Sequence, residues 1–167
     1  MNSSRGVFLG ALLLLAVPVY GGEDTLCRVT AHFSGEGSIG RGLAQALGQA
    51  KERVTLALFA FDNMRLADEL AKLARNGVLV RLKVDASKDR KKKTGMVIDF
   101  LKAAGVKVQV VAPERKNHNK FAVIDGKRVI TGSYNWTLKA EQNWENLLFL
   151  DCPELAEKYE QEWERIR

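Results

Sequence analysis

The chain has 167 residues, 46% of them hydrophobic and 28% charged, with a formal net charge of +6. That length allows one domain with a sizeable core and leaves hardly any room for a second. The modest positive excess fits a soluble basic protein, and its field favours polyanions such as nucleic acid or acidic lipid headgroups.

Residues 1–22 have the outline of a secretory signal. Arg5 supplies a positive start, VFLGALLLLAVPVY is an apolar run, and Pro18, Gly21 and Gly22 offer a turn and small residues for cleavage. The run is short for a membrane span. Tyr20-Gly21-Gly22 is not a clean A-x-A site, so an uncleaved membrane anchor stands as the alternative to an exported, periplasmic or secreted protein. Cleavage removes one arginine and no acid, lowering the net charge to +5, and leaves residues 23–167 as the domain. Cys27 and Cys152 are either two buried thiols or, in an exported protein, a disulfide closing nearly the whole domain. Chain-entropy models assign such a loop about 4–5 kcal/mol. Neither cysteine has the neighbours of a zinc site or a catalytic thiol.

RVTAHF (28–33) reads as a strand. After a glycine-rich turn, Ile39, Leu43, Ala46, Leu47 and Ala50 share one face of a helix that Ser38 caps. VTLALFAF (54–61) is a continuous apolar run, the pattern of a strand covered on both faces. Asp62 or Asn63 then caps a helix with an apolar stripe of Leu66, Ala67, Leu70, Leu73 and Ala74, stopping at Asn76-Gly77. VLVRLKVD (78–85) is the next strand. A polar loop, a helix ending at Ala104-Gly105, and VKVQVV (106–111) follow. FAVID (121–125) and RVITG (128–132) are short strands joined by a hairpin-like turn at Asp125-Gly126. NLLFL (146–150) is another strand, and Leu155, Tyr159, Trp163 and Ile166 line one side of a closing helix. Strand-helix alternation followed by hairpins predicts a single α/β domain, one mixed sheet with helices on both faces.

The chemistry concentrates in HNKFAVIDGKRVITGSYN, residues 118–135. Strand alternation puts His118 and Lys120 on one side, one pleat apart. The pairing is poor for stability, because the ammonium disfavours an imidazolium, but it suits a phosphate. The lysine neutralises non-bridging oxygens while the imidazole reaches phosphorus or the leaving oxygen. Ser133 and Asn135, again two apart, can donate to the same anion. Glu145, just before a strand, can hold an imidazole in one tautomer.

His118-x-Lys120-x4-Asp125 followed by Gly132-Ser133-x-Asn135 resembles the HKD signature of the phospholipase D superfamily, and within it the small, single-motif branch of Nuc-type endonucleases. The resemblance extends over FSGEGS, the strand at 54–61, the strand ending at Asp85, TGSYNWT, WENLLFL and the last helix. It lacks the zinc-finger insertion of some mitochondrial relatives. The resemblance implies two HKD motifs per active site, one histidine forming a phosphohistidine and the other acting as acid and then base, with no metal and no cofactor. One motif per chain then requires a homodimer in which His118 fills both roles. Lys120 and Asn135 would bind phosphoryl oxygens, Ser133 would hydrogen-bond within the site and Glu145 would orient the imidazole. Asp125 belongs to the set by its motif position, although its place in the hairpin also suits a purely architectural role.

Lys88, Arg90, Lys91, Lys92 and Lys93 form a basic stretch after the strand that ends at Asp85. They either grip a phosphate backbone beside the cleft or form a solvated loop. Arg115 and Lys116 lie nearer the motif. Tyr134 and Trp136 are candidates for base stacking or for the core; His32 reads as structural. The leading expectation is a largely non-specific endonuclease of DNA, with RNA a further substrate and no stable membrane contact unless the leader is retained. The alternatives are a phospholipase D-type hydrolase of anionic lipid such as cardiolipin and a catalytically silent nucleic-acid-binding module.

Overall fold

The structure, a computed structural model, describes residues 26–89, 92–112 and 114–167; the leader expected at residues 1–22 lies outside them. In chain order the elements are β1 (Arg28–Phe33), α1 (Ile39–Leu47), β2 (Arg53–Leu58), α2 (Met64–Arg75), β3 (Leu79–Asp85), α3 (Ala86–Asp89), α4 (Lys92–Ala103), β4 (Lys107–Val111), β5 (Lys120–Ile124), β6 (Arg128–Gly132), β7 (Asn146–Asp151) and α5 (Pro153–Arg165). The strands form one sheet in the order β1-β7-β6-β5-β2-β3-β4. β2, β3 and β4 run parallel, and every pairing from β2 through β5, β6 and β7 to β1 is antiparallel.

The continuous apolar character of β2 follows from burial on both faces. Leu56 and Leu58 meet α1, α2 and α4 through Leu43, Leu70 and Leu101 on one face. Ala57 packs on the other face with Phe121, Val123 and Val129, beneath Ala156 and Trp163 of α5. Ser38 caps α1 by accepting from the Arg41 N–H, and Asn63 caps α2 by accepting from Arg65. Among the described residues no helix is long and apolar enough to cross a membrane.

Two elements differ from their expected form. β2 ends at Leu58 rather than running to residue 61, because its partner β5 begins opposite it at Lys120. The stretch after Asp85 is largely helical rather than a loop. The Asp85 carboxylate accepts from the Ser87 N–H and starts α3, and the lysines that open α4 are good helix formers.

β3 breaks the apolar rule on the face toward α5, where Lys83 is only 5% exposed. Its Nζ donates to the carbonyls of Trp163 (2.8 Å) and Ile166 (2.7 Å) and lies 3.9 Å from the Trp163 ring centre. A buried ammonium thus takes up carbonyls that the end of a helix leaves unpaired, and it pins that end of α5 to the sheet. At the sheet edge, a disulfide joins Cys27, just before β1, to Cys152, just after β7.

Candidate active site

One end of the sheet gathers the polar residues. Lys120 opens β5 opposite Leu58, the last residue of β2. Phe121 pairs with Thr131, so Lys120 lies beside the end of β6, and Gly132 faces Leu147 near the start of β7. Gly132 has no room for a Cβ, which would collide with the Asn146 backbone. The close β6–β7 contact there brings Ser133 against the residues that open β7.

His118 lies just before β5, exposed, with its ring against Phe59 at a centroid separation of 4.4 Å. Lys120 Nζ is 3.3 Å from His118 Nδ1 and donates to the His118 carbonyl oxygen at 2.9 Å. Burial holds the Lys120 ammonium below the usual lysine range, against the opposing pull of Glu145. The histidine and lysine therefore converge on one side, above an aromatic floor, and that side is open to solvent.

The loop carrying His118 is held from beneath. Asn117, 3% exposed, donates its backbone N–H to Asp85 Oδ2 at 2.9 Å, and its side-chain Oδ1 accepts from Asn119 Nδ2 at 3.0 Å. Burial pushes the Asp85 carboxyl up, but the Ser87 hydroxyl and the N–H groups of Ser87 and Asn117 outweigh it and hold the group below the usual carboxylate range. Asp85 therefore joins the end of β3 to the residue just before the histidine. Sequence spacing does not mark Asp85, Asn117 and Phe59 as site residues, since each acts through a partner tens of residues away.

Ser133 donates its hydroxyl to Glu145 Oε2 and accepts from the Asn146 N–H at 3.1 Å. The other Glu145 oxygen accepts from Asn143 Nδ2 at 3.0 Å. Within the chain Glu145 therefore holds Ser133 and Asn143 rather than the His118 imidazole. Asn135 and Phe59 line a cleft of about 310 Å³ with Thr94, Lys139 and Asn143. Among the described residues Asn135 Oδ1 is buried without a hydrogen-bond partner. Glu141 ties this segment to α1 by accepting from Ser38 Oγ (3.0 Å), the Gly40 N–H (3.1 Å) and the Tyr134 hydroxyl.

Asp125 does not join the cluster. It occupies the far end of β5, in a left-handed conformation with φ 51°. Its carboxylate accepts the backbone N–H groups of Lys51, Glu52 and Arg53, each at 2.9 Å. Those bonds make it the clamp of the β5–β6 hairpin. Tyr134 and Trp136 are 0% and 1% exposed and belong to the core, which removes both as stacking surfaces. The exposed aromatic near the site is Trp144, 90% exposed and adjacent to Glu145. His32 packs edge-on against Phe149. Arg115 and Lys116 are exposed beside the His118 loop, and Lys93 is exposed in the first turn of α4. Arg90 and Lys91 lie outside the described residues, as do the side chains of Lys88 and Lys92.

Residues 43–167 match the family model described as "Cardiolipin synthase, PLD-like domain". The chain is 35% identical over 126 residues to mitochondrial cardiolipin hydrolase of Danio rerio, covering 74% of this chain and 55% of that protein. It is 37% identical over 133 residues to mitochondrial cardiolipin hydrolase of Homo sapiens, covering 79% and 52%. The chain thus spans about half the length of these curated relatives. The fold is that of Nuc from Salmonella typhimurium, with a TM-score of 0.80 at 23% identity over 84% of this chain and 94% of that one. NucT from Helicobacter pylori follows with a TM-score of 0.75 at 22% identity, covering 84% and 96%. The chain belongs to the phospholipase D superfamily, through its PLD-like domain, and has the single-domain fold of Nuc.

Proposed function

We propose that the chain is an endonuclease that hydrolyses phosphodiester bonds of DNA, and secondarily of RNA, through a phosphohistidine formed without a metal, in a site completed by two copies of the chain. The observation that carries this reading is the His118–Lys120 pair on an exposed, basic edge next to Arg115 and Lys116. In the free chain the Lys120 ammonium donates to the His118 carbonyl oxygen and lies 3.3 Å from His118 Nδ1. Phosphoryl oxygens are charged and accept more strongly, so substrate draws the ammonium away and frees the ring. One imidazole then attacks phosphorus; the P–O bond breaks as the second imidazolium protonates the leaving oxygen. That second ring next takes a proton from water, whose oxygen displaces the first imidazole and restores both groups. The mechanism of the family implies a 5′-phosphate product.

A protomer offers one such imidazole, and its Glu145 is engaged with Ser133 and Asn143. An isologous dimer sets two His118 rings across one phosphorus and brings each Glu145 to the ring of the other copy. Asn135 completes the phosphoryl cradle from the adjoining cleft.

A second reading, hydrolysis of cardiolipin or a similar anionic lipid, is favoured by the names of relatives at 35–37% identity. Incubation of the purified protein with plasmid DNA, single-stranded RNA and cardiolipin vesicles, each with excess EDTA and beside His118→Ala, separates the two. Nicking that persists in chelator and drops about 10⁴-fold in the variant supports the nuclease. Lipid turnover without nicking transfers the assignment to the lipid.

A further inference from the structure

Beside the His118 loop a second cleft, of about 640 Å³, runs between residues 114–119 and the end of α5. Its cations are Arg115 and Lys116 on one wall and Arg165 and Arg167 on the other, all exposed. Its acids are Glu114 and Glu162, the latter 3.4 Å from Arg165 on an exposed pair. Four cations against two acids leave a positive groove. Asn117 and Asn119, on either side of His118, also line it, so it adjoins the His118 loop on the side toward α5.

The far wall is fixed rather than incidental. Lys83 holds the carbonyls of Trp163 and Ile166, the residues interleaved with Arg165 and Arg167. The near wall is fixed as well, through the bond from Asn117 to Asp85. Two pinned walls, each with two cations against one acid and beside the His118 loop, suit a regularly charged polymer better than a single headgroup. Successive phosphates of an extended strand reach the groove one after another once one of them sits at His118.

We infer that this groove is a backbone-binding track, in which Arg165 at the end of α5 and Arg167 just beyond it, with Arg115 and Lys116, hold the phosphates of a polynucleotide flanking the one that is cleaved. The assignment rests on the nucleic-acid reading above and adds to it a location and a set of residues. It predicts salt-dependent affinity carried in part by α5, an element outside the HKD motif.

The test compares the full chain with Arg165→Glu/Arg167→Glu and with Lys127→Glu/Lys158→Glu, which makes the same change of net charge at exposed positions outside the groove. Binding of a fluorescent thymidine 20-mer is followed by anisotropy across a salt series, with thermal melting as a check on folding. The groove variant is expected to bind about tenfold more weakly, with a log–log salt slope shallower by about 1.4, from about 0.7 per lost phosphate contact on a single strand. The control pair should lose much less. Equal affinity and slope in groove variant and control overturn the track, as does a loss seen only on cardiolipin vesicles. A wild-type chain that binds the 20-mer with an arginine-dependent slope yet cleaves no nucleic acid keeps the track and removes the nuclease reading. No binding of the 20-mer removes both.

Discussion

Lys120 and Asp125 belong to one short motif but do different work. The ammonium of Lys120 faces the imidazole, whereas the Asp125 carboxylate is consumed by three backbone N–H groups at the opposite end of the strand. Replacing Lys120 with Met should lower kcat on bis(p-nitrophenyl) phosphate about 10²–10³-fold with an unchanged circular dichroism spectrum. Asp125→Ala should leave kcat of the folded enzyme intact and cost about 2–3 kcal/mol in urea unfolding, through the donors it strands. Burial raises the Asp125 carboxyl, but the N–H groups of Arg53, Glu52 and Lys51 together hold it below the usual carboxylate range. A depressed carboxylate contributes its full stability above its unfolded pKa of about 3.9, and that contribution drains away as pH falls through the lower folded value. The stability gap between wild type and Asp125→Asn should therefore be largest near neutrality and close in acid. The motif spacing makes His118, Lys120 and Asp125 legible as a set. A strand advancing roughly 3.3 Å per residue separates the aspartate from the other two, which a spacing pattern does not display.

At the scale of elements, the 114–119 loop is placed by β3. The Asp85–Asn117 bond couples the end of one strand to the entry of another, and His118 inherits its position from that bond. Asn117→Ala keeps the backbone donor to Asp85 but deletes the side chain that holds Asn119. Steady-state kinetics should show kcat down roughly tenfold with KM changed less than twofold, the signature of a displaced reacting group rather than a lost binding contact. A fall in KM alone, or no change in either, would contradict the positioning role. The strands and helices themselves are legible in periodicity and caps: Ser38 and Asn63 stand where the apolar stripes begin. The interior bonds of Asn117 and Lys83 are not, because both depend on segments brought together only by the sheet.

For the molecule as a whole, the proposed two-copy site, to which each chain brings its one motif histidine, His118, would make activity a property of the pair. Specific activity on a small diester should fall as the protein is diluted through its dimer dissociation constant, with small-angle scattering reporting the same transition. A monomer of undiminished activity would contradict the two-copy site. The α/β class and the covering of both sheet faces follow from the order of elements along the chain. The place of β1 beside β7 does not, since it joins the first strand to the last. All six β1 residues are exposed, so little hydrophobic burial secures this strand; its ladder to β7 and the Cys27–Cys152 bond do. Just past β1, Ser34 exchanges hydrogen bonds with the backbone of Glu145. Thiol reductants should consequently raise amide exchange first at residues 28–34, while the helical layers stay protected. With that strap undone, β7 offers neighbouring molecules a bare ribbon margin, so a reducing milieu would show itself as self-association before it shows itself as melting.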